Sequence, residues 1–237
     1  MNHKVQSFIL NYRMLPTILF QRNELFSPFQ KRVRKLLGRF IFTNLFIYFS
    51  GSKQIIGKKY FSVCKKEFDH IKSYFPRTNN NILSIGCGVG GLEYFFSNIK
   101  HLIMLDLIDR NFVSKKIIYG FNTLNTEGYN NLDCTRDFLI SNSFPKKKFK
   151  IFDYDKNKLP QKKYDLIISL LSLDFHYPFT IYKNYIKKVS TSQTVLILDT
   201  NRPNYFKSIY KTVKIIKKVT NDIHPYCRIV CREIISC

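Results

Sequence analysis

Four of the chain's nine glycines fall within six residues, Gly86-Cys87-Gly88-Val89-Gly90-Gly91, directly after the apolar run Ile82–Ile85. A strand that empties into so bare a loop brings backbone close to something a Cβ would block. Four further near-continuous apolar runs follow at 102–108, 149–152, 165–171 and 194–199, most of them separated by enough chain for a helical crossover. Runs without polar alternation are what strands covered on both faces require. The pattern predicts a doubly wound, mainly parallel sheet. Two last runs, 214–219 and 228–235, flank a turn at Asn221–Pro225 and predict a closing antiparallel pair, for seven strands in all.

Residues 1–75 read differently. Apolar residues recur at spacings of three and four in "FQKRVRKLLGRFIFTNLFIYF" and "KKYFSVCKKEFDHIKSYF", which predicts helices. The loop signal at Pro76–Asn80 suggests a boundary, with a basic helical extension or cap over 1–77 and an α/β domain over 78–237. At 237 residues, with 45% hydrophobic composition, the chain has the length for one such domain and a small extension.

The formal charge of +23 invites a polyanion as partner, nucleic acid or anionic membrane. Yet the chain has no Ala and no Trp and is rich in Asn, Ile, Lys, Phe and Tyr, so AT-rich coding accounts for part of the lysine. The charge is uneven: residues 1–75 hold 14 Lys/Arg against Glu24, Glu67 and Asp69. The basic amphipathic stretch either lies on an anionic membrane surface or caps the main domain with a solvated basic face. Six cysteines without a CxxC pair or accompanying His spacing exclude a zinc site and a disulfide scaffold, and fit a reducing cytoplasm. The longest apolar stretch, Phe40–Phe49, is too short for a spanning helix, and the N-terminus has no small-residue cleavage site, so neither span nor signal peptide is expected.

In an open α/β sheet the ligand lies outside the carboxyl ends of the strands. The loop "GCGVGG" is predicted to end the first strand and open a helix over "LEYFFSNI", with Gly86, Gly88 and Gly90 clearing space for a cofactor. Gly86, Gly88 and Gly91 also satisfy GxGxxG, so a nicotinamide dinucleotide remains open on the loop alone. About 20 residues on, an acid should grip ribose hydroxyls, and Asp106 and Asp109 are both placed for it.

Taken together, the glycine loop, the acid ending the second strand, "FDYDKNKLP" and "YDLIISLLS" resemble, in that order, the class I S-adenosylmethionine-dependent methyltransferases over roughly residues 78–237. The stretches "DRNFVSKKIIYGF", "GYNNLDCTRDFLISN" and "DLIISLLSLDFHYPFTIY" resemble a narrower group of sugar O-methyltransferases and related glycan-modifying enzymes. The resemblance implies a Rossmann-like fold, S-adenosylmethionine as cofactor, and a small-molecule or glycan acceptor. It favours Asp109 over Asp106 for the ribose, and Asp155, with Asp153 as alternative, for the adenine amino group. Either of that last pair would also serve to cap the turn that follows. Cys87, small enough for the loop, and Ser169, at the end of the fourth strand, join the cofactor side. Tyr129, Asn130, Asn131 and Tyr177 join the cofactor or acceptor pocket.

A sugar hydroxyl needs a base to take its proton. His176, just past the fourth strand, is the first candidate and Asp174 the second, while a purely structural role for His176 in the Tyr177–Pro178 turn stays open. One departure stands out: Ser84 occupies the position, two residues before the first glycine, where the family carries an acid. Three other readings remain: an RNA methyltransferase, a degenerate fold that binds a partner or membrane through its basic helices, and a nicotinamide oxidoreductase. The first rests on charge alone, and no hydride-transfer constellation supports the last.

Overall fold

A computed structural model describes residues 7–50, 52–77, 80–114, 128–220 and 224–235. Four helices come first: α1 (Met14–Gln21), α2 (Pro28–Leu37), α3 (Arg39–Ser50) and α4 (Lys53–Ile71). The basic amphipathic stretch is therefore two helices. Gly38, at φ 74°, breaks it, and Ser27 starts α2 with a reciprocal capping box to Gln30.

The predicted strands follow as β1 (Asn80–Ile85), β2 (Leu102–Asp109), β3 (Phe149–Asp153), β4 (Leu166–Ser169), β5 (Val195–Thr200), β6 (Tyr210–Val219) and β7 (Tyr226–Ile234). Three helices complete the order: α5 (Leu132–Ser141), α6 (Thr180–Val189) and α7 (Pro203–Phe206). The strands form one sheet in the order β3-β2-β1-β4-β5-β7-β6. β1 to β5 pair in parallel, and β7 runs antiparallel between β5 and β6. The strand order reverses between β1 and β4, which makes the space beyond their carboxyl ends the natural crevice.

Both faces are covered, as the unbroken apolar runs require. On one, Ile82, Leu105, Leu107 and Ile168 share a cluster with Phe8, Leu15, Ile18 and Ile56 of the N-terminal segment and Phe138 of α5. On the other, Leu83, Ile108, Ile167 and Leu198 pack with Tyr182 and Ile186 of α6 and Phe206 of α7. The N-terminal helices thus bury their apolar side in the same core as the sheet. That packing carries the end of α1 to the glycine loop.

The helix expected after the glycine loop is present as a 3₁₀ helix, Glu93–Asn98. Consecutive Phe95 and Phe96 are both buried, the first against Phe61 and Phe68 and the second against Phe75, and the tight winding suits a short segment that must send neighbouring rings into one core. β4 stops at Ser169 rather than running to 171, because Leu171 takes a left-handed φ of 53° and turns the chain across the strand ends. Asp165, before β4, accepts the Asn81 N–H at 2.8 Å and ties the starts of the two strands together. Among the described residues no helix is long and apolar enough to cross a membrane, and no cluster of His, Cys, Asp or Glu could hold a metal.

Candidate functional site

β1 ends at the loop, and Gly86, Gly88 and Gly90 take φ of 72°, 56° and 92°, values that a side chain resists. A Cβ on Gly86 would collide with the Ser172 hydroxyl, and one on Gly88 with the Gln21 carboxamide. The loop lies on one side of a small cleft, partly open to solvent, whose walls include Gln21, Arg22, Cys87, Asp109, Tyr129, Asn130, Ser172, His176 and Tyr177. Residues 108 positions apart thus meet at one sheet edge: Gln21 Nε2 donates to the Tyr129 carbonyl at 2.8 Å.

Asp109, the last residue of β2, is the acid of this cleft. Its carboxylate accepts the Gly88 N–H at 2.8 Å, the Arg110 N–H at 2.8 Å and Asn130 Nδ2 at 3.1 Å. Arg110 spends its guanidinium elsewhere, on Asp155, and among the described residues Asp109 has no ion pair. Burial raises its pKa to about 6 in spite of those three donors. Asn130 is buried and joins the parts, donating to the Gly88 carbonyl at 2.7 Å as well as to Asp109. Asn131 instead caps α5, accepting the N–H groups of Asp133 and Cys134.

His176 and Tyr129, both in the cleft wall, pack edge to face with ring centroids 5.5 Å apart. Burial, helped by the nearby positive Arg39 and by His224, lowers the His176 pKa to about 4, so the imidazole is neutral at pH 7. Phe175 packs edge-on against His176 and fixes the ring from behind.

Most of the other sequence candidates are engaged elsewhere. Asp106 is buried mid-strand, accepting the Tyr164 hydroxyl at 2.6 Å and pairing with Lys162 at 2.9 Å. Asp174, at φ 62°, is bound by Arg202 Nε at 3.1 Å and by the Thr200 hydroxyl at 2.6 Å, and is not among the cleft-lining residues. Asp155 makes a two-pronged ion pair with Arg110, at 2.9 and 2.7 Å. Asp153 accepts the Asp155 N–H at 3.1 Å, the turn-capping geometry. The Ser169 hydroxyl donates to the Ile85 carbonyl at 2.8 Å and accepts the Leu173 N–H at 2.9 Å, stapling the chain that leaves β4 to the end of β1. Cys87 lines the cleft, but burial pushes its thiol pKa well up and leaves it unreactive.

Three residues of this neighbourhood escape sequence reasoning. Gln21 accepts the Val89 N–H at 3.2 Å, and Arg22 pairs with Glu67 at 3.0 Å and reaches the cleft wall. Their only trace in the sequence is a polar pair ending the apolar helix "MLPTILF". The third is Glu93. Its carboxylate accepts the Ser84 hydroxyl at 2.6 Å, so an acid does sit beside the end of β1, delivered from the 3₁₀ helix rather than the strand. It is buried, and burial raises its pKa to about 7.

No family model matches the chain, and no curated protein matches it. Among solved structures it is similar to precorrin 8w decarboxylase from Methanobacterium thermoautotrophicum, at 13% identity over 72% of this chain and 89% of that one, with a TM-score of 0.45. It is similar to the ribosomal protein L11 methylase of Lactobacillus delbrueckii subsp. bulgaricus, at 9% identity over 74% and 79%, with a TM-score of 0.46. An S-adenosylmethionine-dependent methyltransferase from Mesorhizobium loti gives 19% identity over 59% and 55%, with a TM-score of 0.39.

Proposed function

We propose that the chain is an S-adenosylmethionine-dependent methyltransferase acting on a hydroxyl oxygen of a small acceptor, a sugar or glycan intermediate. The observation that carries this reading is the meeting of the Gly86–Gly90 loop with Asp109 at the switch point of the sheet. Asp109 is an acid held by uncharged donors, with its pKa drawn up to about 6, and a ligand offering two hydroxyls or an amine suits it better than the cleft alone does. The residues present fit the cofactor on that ground: Asp109 would hold the ribose, the glycine loop would meet the amino-acid portion, and Asn130 and Gln21 would border it. S-adenosylmethionine supplies an electrophilic methyl group.

The chain's own part is alignment and proton removal. His176 is the base in this reading: neutral at pH 7, its imidazole has one unprotonated ring nitrogen, and it lines the cleft in edge contact with Tyr129. Tyr129 and Tyr177 offer aromatic faces to the C–H side of a sugar ring. Asp174, already bound to Arg202 and Thr200, supports the turn that presents His176.

Calorimetric titration with S-adenosylmethionine, S-adenosylhomocysteine and NAD in parallel tests the cofactor. Binding of the first two without the third is expected; binding of neither sulfur compound sinks the proposal. On a panel of sugar acceptors, His176→Ala is expected to lower transfer by roughly 10²–10⁴-fold with cofactor affinity unchanged. Equal activity of that variant would return His176 to a structural role.

A further inference from the structure

The N-terminal helices carry a surface that methyl transfer does not use. Residues 25–66 hold ten Lys/Arg and no Asp or Glu. Phe42 and Thr43 turn α3 into the core, with Phe46 and Ile47 partly buried beside them. Its outer side is no less apolar: Ile41, Leu45 and Tyr48 follow at spacings of four and three with Phe49 beside them, and Tyr48 and Phe49 are 82% and 76% exposed. On α2, Leu36 and Phe29 are 87% and 73% exposed, set among exposed Lys31, Arg32 and Lys35.

An outward stripe of this kind marks an interaction surface rather than a solvated face. Its two components name the partner. Phosphates of nucleic acid would be met by the lysines and arginines, but Leu36, Ile41 and Leu45 contribute nothing to them. At a phospholipid surface both components are used: aliphatic and aromatic side chains enter the boundary of the acyl region while Lys and Arg stay among anionic headgroups. α3, with 12 residues, lies in the plane of such a surface and does not cross it.

We propose that the outer face of α2 and α3 docks on an anionic phospholipid surface, with Phe29, Leu36, Ile41, Leu45, Tyr48 and Phe49 inserted and the α2 lysines and arginine at the headgroups.

The test uses the full chain in sedimentation with vesicles, without cofactor, so its outcome is independent of methyl transfer. Vesicles of phosphatidylcholine with about 30 mol% phosphatidylglycerol are expected to bind the protein, and phosphatidylcholine alone to leave it in solution. Two surface variants should each weaken vesicle binding at least about tenfold with circular dichroism unchanged: Tyr48→Ser with Phe49→Ser, and Lys31→Glu with Arg32→Glu and Lys35→Glu. No binding to the anionic vesicles, or binding that both variants retain, overturns the proposal. Equal binding to both vesicle types overturns its electrostatic half. Two outcomes would hand the surface to another occupant: an RNA oligonucleotide bound through the same residues while vesicles are not, or a dimer in light scattering that the Tyr48/Phe49 variant abolishes.

Discussion

Asp109 and Asp199 stand near the carboxyl ends of β2 and β5 on the same edge of one sheet, and they differ in burial and in partners, Asp109 being half-buried. Asp199 is fully buried and meets Arg228 in two parallel contacts at 2.7 and 2.9 Å. Arg228 is also 3.7 Å from Glu67, which pairs with Arg22, so a line of alternating charge runs from β5 to the cleft wall. Asp109 has three N–H donors and no ion pair among the described residues. A buried carboxylate matched by a guanidinium is a finished structural element. A half-buried one held by neutral donors, with its pKa pushed up to about 6, is a place where the fold spends stability.

The sharpest way to break this contrast is to remove each acid. Asp199→Asn leaves Arg228 charged and buried with only the more distant Glu67 to balance it, and is expected to cost about 3–5 kcal/mol of unfolding free energy in a denaturant titration. Replacing the pair together, Asp199→Leu with Arg228→Met, should recover most of that, since apolar groups of similar volume often do as well. If Asp199→Asn is neutral, the ion network does not hold the cleft wall and the comparison fails.

Glu93 adds a third position, because it too is buried yet has no ion pair among the described residues. Its folded pKa, about 7, lies above the ordinary 4.5, so the native state binds more protons than the unfolded chain between those values. The stability this gives is present at acid pH and is lost as pH rises through 7. Glu93→Gln keeps an acceptor for the Ser84 hydroxyl and carries no charge. Its unfolding free energy should match that of the parent near pH 4.5 and exceed it by up to about 3 kcal/mol at pH 8. A parent that gains stability on going from pH 5 to 8 relative to the variant would mean that Glu93 is paired after all.

What the sequence showed of all this follows the range of the interactions. The seven strands were legible because each apolar run is a local pattern, and so was the glycine loop, because positive φ has a local cost. Gln21 and Arg22 were not, since their role comes from α1 packing into the same core as β1 and β2, a contact between residues more than sixty positions apart. Glu93 hid for a related reason. The end of β1 shows a serine, and only the 3₁₀ winding of 93–98 folds an acid back onto it. The residues alone left Asp106 and Asp109 both open and the resemblance favoured Asp109; the physical reason is the way each side chain leaves β2, one towards Tyr164 and the second cluster, the other past the strand end to Gly88.

The remaining acid tests whether the cleft is a binding site at all. Asp109 is ionised above pH 6, and its carboxylate form is the acceptor that ribose hydroxyls would need. Affinity for S-adenosylhomocysteine should therefore be constant from pH 7 to 8 and fall about tenfold by pH 5, a window in which His176, with a pKa of about 4, stays neutral and adds nothing. Asp109→Asn should bind about 10–100-fold more weakly at pH 7.5, the loss expected for hydrogen bonds to a charged group, and should lose the pH dependence. Its stability should move the other way. The parent's raised pKa means that stability is lost as pH rises through 6, so the variant is expected to be no less stable than the parent at pH 8 and to lose any advantage near pH 4. If Asp109→Asn instead binds normally and unfolds early, as Asp199→Asn should, then Asp109 is a second structural acid, and the difference between the two strand ends is one of partners rather than of purpose.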